Sequence, residues 1–192
     1  AALLFAACAE KPEPADLVLL GGTVVTGDDS IRDGQALAAR GGRIVAVGTD
    51  KEIRRYVGDA TEVVELAGQT AIPGLIEGHA HLLLHPYDET SWTDQVLLES
   101  LAERTARGVV HAQKSLMAGI TTLRDLGTEG AGYADVGLKA AIDKGVIPGP
   151  RLIVTTRAIV ATGSYGPKGA PEWNLAKGAE AADGYDDLIR VT

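Results

Sequence analysis

Residues 73–81 read Pro73-Gly74-Leu75-Ile76-Glu77-Gly78-His79-Ala80-His81, and no other segment constrains the fold as tightly. An apolar run that follows Pro-Gly and ends in alternating histidines reads as a β-strand. Side chains alternate between faces along a strand, so His79 and His81 are expected on one side. Two imidazoles at that spacing reach one cation at roughly 2.0–2.1 Å each. Gly78 and Ala80 fall on the other side, where small side chains allow close packing against helices. A lone histidine on an apolar strand is usually a hydrogen-bonded core residue. Two on one face each need a buried polar partner, which favours a metal. Glu77 shares their parity and is expected one layer deeper, accepting a hydrogen bond from a ligand histidine or a nearby backbone group. A structural carboxylate paired elsewhere is the competing reading.

From Thr70 onward, strands and helices alternate. Ala71–Leu84 is an apolar, strand-like run. Asp94 to Met117 has helical periodicity, with Leu97, Leu101, Thr105, Val109, Ala112 and Leu116 along one stripe. Glu103, Arg107, His111 and Lys114 fall on the other side, and His111 is expected in solvent. Gly119 stops this helix. Ile120–Leu126 is a second strand, Gly127–Gly132 a loop, Tyr133–Lys144 a second helix and Arg151–Thr155 a third strand. Thr162–Gly178 is rich in Gly and Pro and reads as a long loop; Asp183–Thr192 begins a further helix. This order predicts about three βα units and a parallel sheet in residues 71–192. A complete (β/α)8 barrel needs about 250 residues, so only part of one fits. Residues 16–70 read instead as short strands, with Gly41-Gly42 a two-residue hairpin turn and Lys51–Val57 one or two helical turns.

Two more segments accompany the histidine motif: Gly119-Ile120-Thr121-Thr122-Leu123-Arg124-Asp125-Leu126-Gly127 and Pro148-Gly149-Pro150-Arg151. Together the three resemble the first strands of the amidohydrolase superfamily, most of all its imidazolonepropionase-like and Xaa-Pro dipeptidase-like members. Glu77 stands where that family usually has Asp. The resemblance implies an α/β chain: an incomplete (β/α)8 TIM-type barrel over residues 71–192, preceded by part of a small β-sandwich over 16–70, with 1–15 a tail and linker. It implies that His79 and His81 ligate one or two divalent metal ions, zinc, and that the complete protein hydrolyses an amide, peptide or cyclic-amide C–N bond with metal-activated water. The family's other ligands, a carboxylated Lys or a Glu and two His, belong to later strands and are expected beyond Thr192. So is its proton-transferring Asp. A catalytic zinc takes three protein ligands or more, so residues 1–192 alone are expected to be inactive.

Loops at the same end of the strands supply candidate substrate-binding residues: His85, Tyr87 and Trp92 after the first strand, and Tyr165 after the third. For the aromatics, packing or exposure is the competing reading. For His85, support of a ligand, contact with substrate and exposure all stay open. Gly127–Gly132 lacks both G-x-G-x-x-G spacing and a following Lys, so it reads as a tight turn and not a phosphate loop. Ser164 has no G-x-S-x-G context. A non-catalytic relative that keeps the barrel as an interaction scaffold is the alternative, and retention of both histidines speaks against it.

The net charge of −8 and the lack of any basic run beyond Arg54-Arg55 argue against nucleic acid and anionic membrane surfaces as partners. The expected partner is a small amide or peptide substrate. One cysteine, Cys8, excludes an internal disulfide framework. The apolar run Ala1–Ala9 resembles the tail of a secretory signal. Ala7-Cys8-Ala9 fits a signal-peptidase site, whereas Leu4-Phe5-Ala6-Ala7-Cys8 resembles a lipobox with Phe5 in place of Leu. An Ala-rich tail without either role is the third reading. The expected location is periplasmic or secreted, with a lipid anchor at Cys8 as the one route to a membrane. The run is far short of the ~20 residues of a spanning helix.

Overall fold

The computed structural model describes residues 11–27, 31–33, 35–166 and 177–192. The Ala1–Ala9 run with Cys8, and much of the Thr162–Gly178 loop, lie outside the described residues. The chain divides into two compact units between Pro73 and Gly74.

The first unit is built from short strands: β1 (Leu17–Leu20), β2 (Thr23–Val25), β3 (Ile31–Asp33), β4 (Gln35–Arg40), β5 (Arg43–Thr49), β6 (Glu62–Glu65) and β7 (Thr70–Ala71). They form two sheets, ordered β5-β4-β1-β6 and β3-β2-β7. Period-two alternation puts Val18 and Leu20 of β1 and Ala36 and Ala38 of β4 into one core with Ala15 and Ile53. Gly41 and Gly42, with φ of 57° and 71°, close the β4–β5 hairpin. Two successive left-handed residues match the twist of the flanking strands, and glycine adopts them without a Cβ penalty. Thr49 and Glu52 form a reciprocal capping box that starts α1 (Asp50–Ile53), and a 3-10 turn over Arg54–Tyr56 follows.

The second unit is mixed α/β. Its elements are β8 (Leu75–Ala80), α2 (Trp92–Leu97), α3 (Leu101–Met117), β9 (Ile120–Asp125), α4 (Ala134–Asp143), β10 (Arg151–Val154), β11 (Ala158–Val160), β12 (Ala179–Ala181) and α5 (Tyr185–Val191). β8, β9 and β10 make a parallel sheet in the order β10-β9-β8, with α3 and α4 as the crossovers; β11 and β12 form a separate parallel pair. Leu82, Leu83, Ala112, Leu123, Ala131, Leu138 and Leu152 form the core between sheet and helices.

Four expectations need correction. The Ala71–Leu84 run is not one strand. Thr70 and Ala71 pair with β2 of the first unit, β8 ends at Ala80, and Leu82 and Leu83 turn inward into the core. The Asp94–Met117 helix is two helices, because Ser91 and Ser100 each cap a start, accepting from the amides of Asp94 and Glu103. The buried stripe of α3 is Arg104, Gly108 and Ala112, while Leu101 is 55% exposed. The buried face thus departs from the apolar stripe and shares only Ala112 with it, and the small Gly108 and Ala112 leave room for Leu138, Leu83 and Gly149 to pack closely there. The parallel pair β11–β12 has no counterpart in the sequence reading.

Candidate functional site

The histidine motif sits on an irregular strand end. β8 and β9 are in register at Glu77↔Leu123 and again at Ala80↔Asp125, three steps on one strand against two on the other. The extra residue is a β-bulge, which removes local ladder partners. Side chains take up the backbone groups at that point. Glu77 Oε1 accepts from the His79 amide at 2.8 Å, and Arg124 Nε donates to the Gly78 carbonyl at 2.7 Å. Glu77 thus bonds to the backbone of a histidine and not to an imidazole. The His79 and His81 rings lie edge to face with centroids 5.3 Å apart.

His81 Nδ1 lies 2.9 Å from the carbonyl oxygen of Gly127, in the loop after β9. A carbonyl only accepts, so Nδ1 carries the proton and donates, and Nε2 keeps its lone pair. That is the tautomer of a metal-binding imidazole whose other nitrogen is anchored. Donor chemistry and placement therefore suit a borderline divalent cation such as zinc. Among the described residues, no group of three or more His, Cys, Asp or Glu is arranged to hold a metal ion, so His79 and His81 stand as two candidate donors without a third.

The loop after β9 is far more ordered than a glycine-rich turn suggests. Thr128, Glu129 and Ala131 are buried. Glu129 has a φ of 51°, a left-handed conformation that non-glycine residues rarely adopt. Arg104, 2% exposed, holds it there. Its Nε donates to the Leu83 carbonyl at 3.0 Å, and its two terminal nitrogens donate to the carbonyls of Thr128 and Glu129 at 2.9 Å each. This guanidinium locks the loops that follow β8 and β9 together. The Glu129 carboxylate accepts from Trp92 Nε1 at 3.0 Å and from the Tyr165 hydroxyl at 2.6 Å, both on Oε2. Oε1 lies 3.9 Å from His81 Nδ1.

Glu129 thus gathers two of the four candidate substrate residues, Trp92 and Tyr165, whose rings stack edge to face 5.3 Å apart. Of the other two, Tyr87 is near enough to couple electrostatically with Glu129 and Tyr165, while His85 is engaged elsewhere. Tyr87 is 59% exposed and, with His81, Leu84, His85 and Pro86, lines a shallow cleft of about 300 Å³. His85 lies between two carboxylates, Nδ1 at 3.1 Å from Glu89 and Nε2 at 2.9 Å from Glu99. Burial alone would raise the Glu99 pKa, but hydrogen bonds from Arg107 and His85 outweigh it and hold the carboxyl below its usual range. His111 departs from its expected place in solvent: it is half-buried, and its Nδ1 bonds the Leu82 carbonyl at 2.9 Å. Burial pushes the Tyr165 hydroxyl pKa up, and the neighbouring Glu129 adds to the shift.

Asp125, at the end of β9, is fully buried. Burial raises its carboxyl to about 6, with Asp135 pushing the same way and the Gly127 amide and His81 opposing. Its Oδ1 accepts from the Gly127 amide at 3.3 Å. Neither Glu129, Arg104 nor Asp125 stood out in the sequence as a site residue.

Residues 70–192 match the model of the Amidohydrolase family. A segment of the imidazolonepropionase of Symbiobacterium thermophilum is 41% identical over 83 residues, covering 36% of this chain and 20% of that protein. The fold is similar to that of an amidohydrolase crystal structure, with a TM-score of 0.68 and 26% identity, covering 91% of this chain and 42% of that one. It is also similar to a prolidase crystallised with N-methylphosphonate-L-proline, with a TM-score of 0.71 and 24% identity at the same coverage, a likeness of fold alone. The chain spans less than half the length of each of these proteins.

Proposed function

The chain belongs to the amidohydrolase family, and we propose that the protein hydrolyses the C–N bond of an amide, peptide or cyclic amide at a divalent-metal centre to which His79 and His81 contribute two ligands. The bond from His81 Nδ1 to the Gly127 carbonyl carries this reading, because it leaves Nε2 as the coordinating nitrogen. Similarity to an imidazolonepropionase supports a C–N bond as the target. When bound, one or two divalent ions, zinc by the resemblance, supply Lewis acidity that polarises a carbonyl and makes water nucleophilic near neutral pH.

The chain's own residues position these groups. Glu77 and Arg124 hold the bulge that presents His79; Gly127 holds the His81 ring. The cleft beside His81 and Tyr87 offers room for substrate. On this reading, residues 71–192 supply the first βα units of a (β/α)8 barrel, and residues 16–70 part of a β-sandwich. Exposed apolar side chains on the sheet, Leu75, Ile76 and Ile153, support further strands covering it. The Ala1–Ala9 run supports export, with Cys8 as the site of any lipid anchor.

The test uses the full-length protein. Metal content is measured by elemental analysis for the wild type and for His79→Ala and His81→Ala, together with activity on dipeptides, N-acylated amino acids and cyclic amides. The reading predicts at least one zinc per chain and its loss, with the activity, in both variants. A wild type that takes up no zinc on reconstitution, or an unchanged His81→Ala variant, would sink it.

A further inference from the structure

We infer that Glu129 is a specificity-determining residue that binds a protonated amino group of the substrate, placed next to the carbonyl presented to His79 and His81. The preferred substrates are then amides or peptides with a free α-amino group. This inference rests on the hydrolase reading above and narrows its substrate class.

The Glu129 side chain is 7% exposed, yet among the described residues it meets no cation within hydrogen-bonding range. Its two donors, the Trp92 indole and the Tyr165 hydroxyl, are neutral. Arg104, the nearby guanidinium, gives its bonds to three backbone carbonyls and none to this carboxylate. His81 Nδ1, at 3.9 Å, lies beyond hydrogen-bonding range of Glu129 and is engaged by the Gly127 carbonyl. Arg104 attracts this carboxylate through space but makes no direct bond to it, so an incoming cation would form its first contact ion pair and offset the cost of burying the charge.

The geometry favours a small, directed cation. Both neutral donors bind Oε2, which fixes the carboxylate plane and leaves Oε1 turned toward His81. A residue held at φ 51° by a buried arginine is a preorganised acceptor, not a flexible surface acid. The environment is also aromatic: Tyr87 is close enough for Glu129 to contribute to raising its hydroxyl pKa, after burial. Aromatic rings beside a carboxylate suit an ammonium group. An ammonium satisfies itself with one charged oxygen and ring faces, whereas a hard metal ion wants several oxygens.

The experiment compares dipeptides with their N-acetyl counterparts, using the full-length, zinc-reconstituted wild type and Glu129→Gln. Glutamine can keep one acceptor oxygen for Trp92 and Tyr165 while replacing the charged Oε1 by a neutral amide nitrogen. The wild type should prefer the free-amino substrates. Glu129→Gln should lower kcat/KM for them by about 30-fold or more, mainly through KM, and leave the acetylated series within about threefold. Equal losses on both series with an unchanged melting temperature would overturn the inference, as would a wild-type preference for acetylated substrates. A wild type that binds zinc and cleaves only acetylated amides refutes this inference alone. A wild type that binds no zinc and cleaves neither series refutes the hydrolase reading, and this inference with it.

Discussion

The imidazole of His81 is anchored 2.9 Å from the carbonyl oxygen of Gly127, so the orientation of a histidine of the proposed metal site, just past the end of β8, depends on the loop that follows β9. Gly127 has a φ of 141°, a region open to glycine and strained for other residues, and a Cβ there would sit 3.4 Å from Glu129 Oε1. Gly127→Ala should therefore shift the carbonyl and free the His81 ring. Zinc affinity should fall about 10- to 100-fold, the usual effect of removing an outer partner of a metal ligand. Competition against a chromophoric chelator measures this, and an affinity within a factor of two of wild type would show that the anchor is dispensable.

Arg104 joins the loops after β8 and β9 through bonds to Leu83, Thr128 and Glu129. Arg104→Met keeps much of the stem and strands three buried carbonyls. Each unsatisfied group costs on the order of 1–3 kcal/mol, so a loss of about 3 kcal/mol or more is expected. Denaturant unfolding of the full protein measures it. Arg104→Lys should recover only a minor part, since an ammonium cannot span three divergent acceptors. A lysine variant as stable as wild type would mean that charge, and not the fork, holds the loops.

Arg104 also shows where sequence reasoning stops. The closeness of the His79 and His81 rings was legible because their spacing in the chain is a local fact, and the glycine turn at Gly41-Gly42 and the alternation of β and α were legible for the same reason. The Ser100 cap that starts α3 lies inside a continuing apolar periodicity, which reads as one helix. Arg104 shares a helix face with Gly108 and Ala112, yet a charged residue there reads as solvated, because its acceptors lie 21 to 25 residues away. Glu129 looks like a turn residue between glycines. Its burial depends on Trp92 and Tyr165, which are 37 and 36 residues distant. Such pairings are set by topology, and no local pattern carries them.

The buried Asp125 predicts a pH dependence of stability. Its folded pKa, raised to about 6, exceeds the unfolded value of roughly 3.9, so the folded state binds the proton more tightly. The contribution is fully present below the unfolded value and is lost as pH rises through about 6. For a group this buried, the loss approaches about 3 kcal/mol. In the metal-free protein, unfolding free energies from pH 4 to 8 should decline for the wild type relative to Asp125→Asn, which carries no titrating proton. Parallel curves for the two proteins would show that Asp125 is ionised throughout.

Gly74, at the entry to β8, lies against Thr121 of β9. A Cβ built on Gly74 falls inside that side chain, with the Thr121 Cβ only 2.6 Å away. Real Cβ atoms do not approach so closely, so Gly74→Ala must push β8 off β9 at the strand that carries His79 and leads into His81. Overpacking of this kind typically costs 1–3 kcal/mol. Removing the obstacle should restore the fit. In Gly74→Ala/Thr121→Gly, the two changes should be less damaging together than their separate effects predict, with a coupling of about 1 kcal/mol or more. A double-mutant cycle by denaturant unfolding measures this coupling, and zinc titration of the same variants reports whether the histidine pair follows the strand. Strict additivity would mean that the strand entry yields without cost and that β8 is positioned by its remaining pairs with β9.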